Sequence, residues 1–222
     1  MIQAAHLLGK EIAMSEREIR SFLGTVETRT VDDGQIQLSG QPIVFNQSTD
    51  IGGYFEETIA AEAVDSKILR DVCLLVNHDF DGIPLARSRN NNKNSNLRFT
   101  LSDSGVDMEA DLDPKNPKAI ELNSAVERGD ISGMSFAFLV GEDRWENLDT
   151  DYPKRTITKI DTIYEVSAVN WPAYTGTSIQ SNRSLDSGLE SMKRAREELD
   201  SARARSAKIA DLNNKLKEIN HE

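Results

Sequence analysis

Three observations predict an α+β fold. From about Thr25 the chain breaks into short β-rich runs separated by turn residues, and helical stretches fall between them. From about Asn182 to Glu222 it becomes a charged segment with no aromatic residue and no proline.

The elements follow in order. Residues 1–20 read as a polar N-terminal arm, 21–181 as the folded domain and 182–222 as a helical tail. Within the domain the strand runs are "QIQLSGQPIVF", "DVCLLVNH", "LRFTLSDSGVDMEADL", "SFAFLV", "RTITKI" and "IYEVSAVNW". Alternation is clearest at Leu97, Phe99 and Leu101 and again at Val106, Met108 and Ala110, with "SDSG" between them as a hairpin turn. "NPKAIELNSAVERGD" opens with a proline near its first turn and places Ile120, Leu122, Ala125 and Val126 on one stripe, so it reads as a helix. "YFEETIAAEAV" reads as helical or irregular. In the tail, Leu185, Leu189 and Met192, and then Ile209, Leu212, Leu216 and Ile219, recur at spacings of three and four. They form a narrow apolar stripe on a helix with no core of its own, which is expected to seek a partner helix or self-associate.

Composition narrows the function. The 222 residues carry 37 acidic and 26 basic side chains, a net charge of −11, which disfavours nucleic acid as a partner. No apolar run approaches the roughly 20 residues of a membrane span, and the N-terminus lacks the pattern of a secretory signal. Cys73 is the single cysteine, so no internal disulfide forms, and in "DVCLLVNH" it reads as a buried, inert thiol in a cytosolic setting. Of the three histidines, His6 and His221 lie near the ends and His78 alone falls within a folded segment. A zinc site cannot be assembled from that set. "HDFDG" places Asp79 and Asp81 beside His78 but offers no further histidine for a metal, and no phosphate-cradling glycine loop occurs. No cofactor or metal is expected.

A serine becomes a nucleophile when a neighbouring base takes its proton and a third group orients that base. His78, at the end of "CLLV", can be such a base or a surface capping residue. In "ISGMSFAF" both Ser132 and Ser135 stand near a turn into an apolar strand. Ser135 would face opposite to Phe136, lining a cleft while Phe136 enters the core, or it would simply begin the strand. Glu165 in "YEVSAV" is a carboxylate inside an apolar run, either partnered or facing water at a sheet edge.

Taken in order, "SGQPIVFNQSTDIGGYFEETIAAEAV", "LLVNHDFDGIPLARS", "SDSGVDMEADL", "ERGDISGMSFAFLV", a following Trp145 and "RTITKIDTIYEVSAVNWPAYTGTS" resemble the tailed-bacteriophage prohead maturation protease family, serine peptidases related to herpesvirus assemblin. The resemblance runs from about Arg17 to Thr177 and implies a small β-barrel-like protease core with surrounding helices. It places the family's histidine on His78, its nucleophile on Ser135 rather than Ser132, and its acidic residue on Glu165. Ala137 stands where relatives commonly have glycine. Backbone N–H groups near Ser135, with Arg87 and Arg155, are the candidates for stabilising an oxyanion.

The family's function implies an endopeptidase that cuts the scaffolding arm of the capsid protein, or separate scaffold chains, and also itself. It would act in the assembling procapsid within the host cytoplasm. The alternative is a non-catalytic, scaffold-like assembly factor that keeps a protease-like core as a binding module.

Overall fold

Two long strands joined as a hairpin set the frame into which every other element fits. The computed structural model describes residues 17–22, 26–31, 34–170 and 182–219. In chain order its strands are β1 (Glu18–Phe22), β2 (Val26–Thr30), β3 (Ile36–Val44), β4 (Thr49–Ile51), β5 (Phe55–Ile59), β6 (Cys73–Val76), β7 (Ala86–Arg87), β8 (Leu97–Leu101), β9 (Gly105–Leu112), β10 (Gly133–Glu146) and β11 (Lys154–Val169). Helix α1 spans Pro117–Glu127 and helix α2 spans Asn182–Ile219. The N-terminal arm up to residue 16 and the segment 171–181 lie outside the described residues.

The strands form two sheets. A seven-stranded sheet runs β1-β10-β11-β5-β4, with β6 and β7 continuing it beside the second half of β11; a four-stranded sheet runs β2-β3-β9-β8. The fold is therefore α+β, as the sequence predicts, and its barrel-like core takes the form of two sheets without a closed ring among the described strands. "RTITKI" and the "IYEVSAV" of the next run turn out to be parts of one strand, β11, which runs from Lys154 to Val169. β5 lies parallel to its first part and β6 parallel to its last part.

The core collects the apolar faces of both sheets. Leu38, Ile43, Met108 and Ala110 of the smaller sheet join Met134, Phe136, Phe138, Ile160, Ile163 and Val166 of the larger one in a single buried cluster. Phe136 and Phe138 stack with their ring centroids 4.4 Å apart. The register slips where β11 passes Tyr164, so that Ala137 pairs with Glu165 but Phe138 pairs with Ile163. This bulge lets Ile163 and Val166 both enter the core while Glu165 keeps the opposite face. The close approach of β9 to β3 depends on Gly105, because a Cβ there would stand 2.0 Å from the Ile43 carbonyl oxygen.

One reading of local structure is corrected. "YFEETIAAEAV" is strand β5 followed by a single 3-10 turn over Ala61–Ala63. Phe55, Glu57 and Ile59 alternate inward, and the pattern was hidden because the middle inward residue is a buried glutamate paired with arginines. Helix α1 forms as predicted, capped by the Asn116 side chain accepting the Lys118 N–H at 3.0 Å. It buries Ala119, Leu122 and Val126 against the small sheet and leaves Ile120 about half exposed.

Helix α2 divides into two halves. Its first half lies on the large sheet: Ser191 Oγ donates to Asp143 at 2.7 Å and accepts the Trp145 indole N–H at 3.1 Å, and Arg196 donates to the carbonyls of Leu148 and Thr150. Gly188 permits this approach, since a Cβ there would meet the Phe55 ring at 2.7 Å. Beyond residue 200 the side chains described are exposed, and Ile209, Leu212 and Leu216 are 58 %, 51 % and 56 % accessible. Only the distal part of the tail is thus the free apolar stripe that the sequence predicts for its whole length.

Candidate active site

Ser135, His78 and Glu165 come from three adjacent strands or their ends. Ser135 is the third residue of β10 and sits in register with Ser21 on β1 and Ser167 on β11. Its neighbours Met134 and Phe136 face the core, so Ser135 occupies the other face with Ala137. Glu165 lies two residues before Ser167 and therefore on the same face of β11. His78 follows β6, which runs beside β11 with Leu75 paired to Ser167 and Val76 to Ala168.

The turn that carries His78 is strained and clamped. Asn77 and His78 both have left-handed backbones, with φ of 49° and 57°. Asparagine and histidine tolerate that region better than most residues, but two in succession persist only where the surroundings hold them. Here the Asn77 N–H donates to the Ala168 carbonyl at 3.0 Å, and its side-chain amide exchanges hydrogen bonds with Asn170, 3.1 Å to the Asn170 Oδ1 and 3.1 Å from the Asn170 N–H. This curl turns the imidazole back towards β11, with the Phe80 ring nearly parallel to it at 6.3 Å and the Arg17 guanidinium over Phe80 at 3.6 Å.

His78 Nδ1 lies 2.7 Å from Glu165 Oε1, and the carboxylate is buried, 1 % exposed. A carboxylate accepts only, so the ring proton belongs on Nδ1 and Nε2 is left as an acceptor. Nε2 is buried and has no hydrogen-bond partner among the described residues. A buried acceptor with nothing to accept is costly, and it is the feature expected of a base awaiting a proton.

Ser135 is wholly buried rather than lining an open cleft. Its Oγ donates to the Arg20 carbonyl at 2.9 Å and accepts from Ser21 Oγ at 2.9 Å. Its proton is thus held by the main chain of β1. Ser132, the other serine of the motif, is exposed in the loop before β10.

Of the residues named as oxyanion donors, neither arginine is free. Arg155 is buried among Glu18, Glu57 and Asp143, and Arg87 is bound to Asp71 at 2.6 Å on the surface. Burial opposes the charge on Arg155, but Glu18 and Glu57 outweigh it and hold the guanidinium above its ordinary range. Asp79 faces Lys118 at 3.5 Å, and no group of three or more His, Cys, Asp or Glu side chains is placed to hold a metal among the described residues. Cys73 is half-buried, and burial pushes its thiol up, away from the reactive thiolate.

Several residues around the site escape the sequence reading: Ser167, Ser21, Asn77, Asn170 and Phe80. Ser167 was within reach, because two residues beyond Glu165 on a strand is the same face. Ser21 was not, since its place depends on the pairing of β1 with β10, a contact 114 residues apart in sequence.

Comparison with known proteins identifies the family of the chain. The model of the caudovirus prohead serine protease family matches residues 24–191, which takes in the strands carrying all three residues and ends where α2 bonds to the sheet. The prohead protease of Enterobacteria phage HK97 is 24% identical over 189 residues, covering 83% of this chain and 72% of that protein. No solved structure matches. With a serine, a histidine and a carboxylate gathered on one sheet and a family model that spans most of the sequence, the chain belongs to the caudovirus prohead serine proteases.

Proposed function

We propose that Ser135, His78 and Glu165 are the nucleophile, base and orienting acid of this serine protease, and that its substrates are the scaffolding arms of the phage capsid protein or separate scaffold chains, together with the protease itself. The observation that carries the assignment is the buried Glu165–His78 pair at 2.7 Å, which leaves Nε2 unpartnered and sets the carboxylate on the strand that pairs with the one bearing Ser135.

In the proposed mechanism Ser135 gives up its bond to the Arg20 carbonyl and passes its proton to His78 Nε2 as Oγ attacks a peptide carbonyl carbon. Glu165 stabilises the imidazolium that results. The scissile C–N bond breaks as His78 returns the proton to the leaving amine, giving an acyl-enzyme on Ser135. Water, deprotonated by His78, then attacks the ester and regenerates the hydroxyl. The reaction would take place inside the assembling procapsid in the host cytoplasm; no helix among the described residues is long and apolar enough to cross a membrane. The exposed stripe of Ile209, Leu212 and Leu216 fits association with a partner helix, of scaffold or of a second copy, during packaging.

The test is cleavage of the phage's own capsid protein, followed by mass spectrometry. Ser135→Ala should lose activity by on the order of 10⁴-fold or more and remain full length, while Ser132→Ala keeps most of it. A dead Ser132→Ala beside an active Ser135→Ala would reverse the assignment.

A further inference from the structure

Ser167 sits where the parts of the site meet. Its Oγ donates to Glu165 Oε2 at 2.5 Å and accepts the His78 backbone N–H at 3.1 Å. Its side chain is fully buried, and it is the register partner of Ser135 across β10 and β11. A hydroxyl has one proton and two lone pairs, so one small group can bind the acid and the main chain of the base together.

Each contact removes a freedom that proton transfer cannot tolerate. A glutamate held only by the imidazole could swing about its terminal torsion, whereas here one oxygen faces His78 Nδ1 and the other is fixed by Ser167. The His78 backbone is in the left-handed region, and its N–H would be left without this partner if the hydroxyl were absent. A serine that merely filled space would need neither bond.

We infer that Ser167 is a positioning residue for catalysis, holding the Glu165 carboxylate and the His78 turn in one geometry so that Nε2 is presented to Ser135. It touches neither substrate nor nucleophile oxygen in this role and acts through His78. The inference rests on the assignment of Ser135, His78 and Glu165 given above.

The test uses the full-length chain with Ser167→Ala, Ser167→Cys, Glu165→Gln and Ser135→Ala, assayed on the phage capsid protein over a range of concentrations. Misplacing a base by a fraction of an ångström lowers the turnover step rather than binding, so kcat of Ser167→Ala should fall roughly 10–100-fold with KM within about twofold. In parallel, the proton between His78 Nδ1 and Glu165 is followed by NMR in the inactive Ser135→Ala protein. Adding Ser167→Ala should shift or broaden that resonance, which a purely structural serine would leave in place. If Ser167→Ala does not fold, Ser167→Cys, similar in size but a weak donor, carries the same expectations. A folded Ser167 variant with kcat within twofold of the parent, or an unchanged resonance, overturns the inference. If Glu165→Gln abolishes activity while Ser167→Ala does not, the role of Ser167 alone fails; if both keep full activity while Ser135→Ala is dead, the acid has been misassigned.

Discussion

The hydroxyl of Ser135 is held on both sides by β1, donating to a carbonyl and accepting from a second serine. Arg20 and Ser21 engage it at 2.9 Å each, while His78 Nε2 stands without a partner. Because nucleophile and base act as one unit, His78→Ala should be as damaging as Ser135→Ala. Glu165→Gln should retain more. It removes the charge that supports the imidazolium and presents an amide that can favour the wrong tautomer, a change that costs up to about 10⁴-fold in a comparable triad. Rates of capsid-protein cleavage for the three variants check this, and full activity of Glu165→Gln would remove Glu165 from the set. The sequence singles out the three residues as candidates while leaving a bland reading open for each, and it is the family resemblance that selects them as a set. The way the nucleophile is held was not legible there, since nothing near Ser135 in the sequence points to a strand more than 110 residues earlier.

Among the elements, α2 departs furthest from expectation. A charged helix with one narrow apolar stripe has no sequence signal that tells where it stops touching the core, and here the division depends on small residues. Ser187 reaches Glu18 at 3.1 Å, Gly188 lies on Phe55 and Ser191 bridges Trp145 and Asp143. Phe55 and Trp145 meet edge to face at 5.0 Å beneath that contact. The spacing of Leu185, Leu189 and Met192 was visible, but the contact is made mostly by serine and glycine, which no apolar pattern marks. Gly188→Leu would drive a side chain into the Phe55 ring, an overpacking that costs about 1–3 kcal/mol. In a chain of this size that is a fall in Tm of roughly 2–12 °C. A leucine introduced on the distal half, Ala210→Leu, should leave Tm unchanged because that face is exposed. For the same reason a chain ending after Ala202 should keep its Tm, whereas one ending at Ser181 strips the cover from Phe55 and Trp145 and should melt lower. Calorimetry of the four proteins decides it; equal Tm for Gly188→Leu and the parent would mean that α2 does not pack on Phe55 in solution.

The molecule is closed by charge as well as by its apolar core. Glu18 of β1, Glu57 of β5, Asp143 of β10 and Arg155 of β11 meet with Arg20 in one buried cluster, which Ser187 and Ser191 extend to α2. Removing one member of such a cluster strands a buried charge, at a cost of about 3–5 kcal/mol, so it specifies how the elements come together more than it adds net stability. Burial works against the Glu18 carboxylate, but Arg20 and Arg155 outweigh it, and Ser187 adds a hydrogen bond, so its pKa is lowered in the folded chain. A lowered carboxylate stabilises the fold fully at pH values above its unfolded pKa and loses that contribution as pH falls towards and through the folded value. Arg155 is raised and would lose its contribution only as pH climbs through a value beyond the ordinary arginine range, so it adds no pH dependence near neutrality. Asp111, lowered by its hydrogen bond to Arg98, shares the sign of Glu18 but is partly exposed, and solvent screening reduces its weight. The stability of the parent, measured by urea unfolding, should therefore decline as pH drops below the ordinary carboxylate range. Glu18→Gln should be less stable at pH 7 yet decline less steeply over the same interval, because it has no proton to take up there. Parallel declines in the two proteins would show that Glu18 is not held as an ion in the fold.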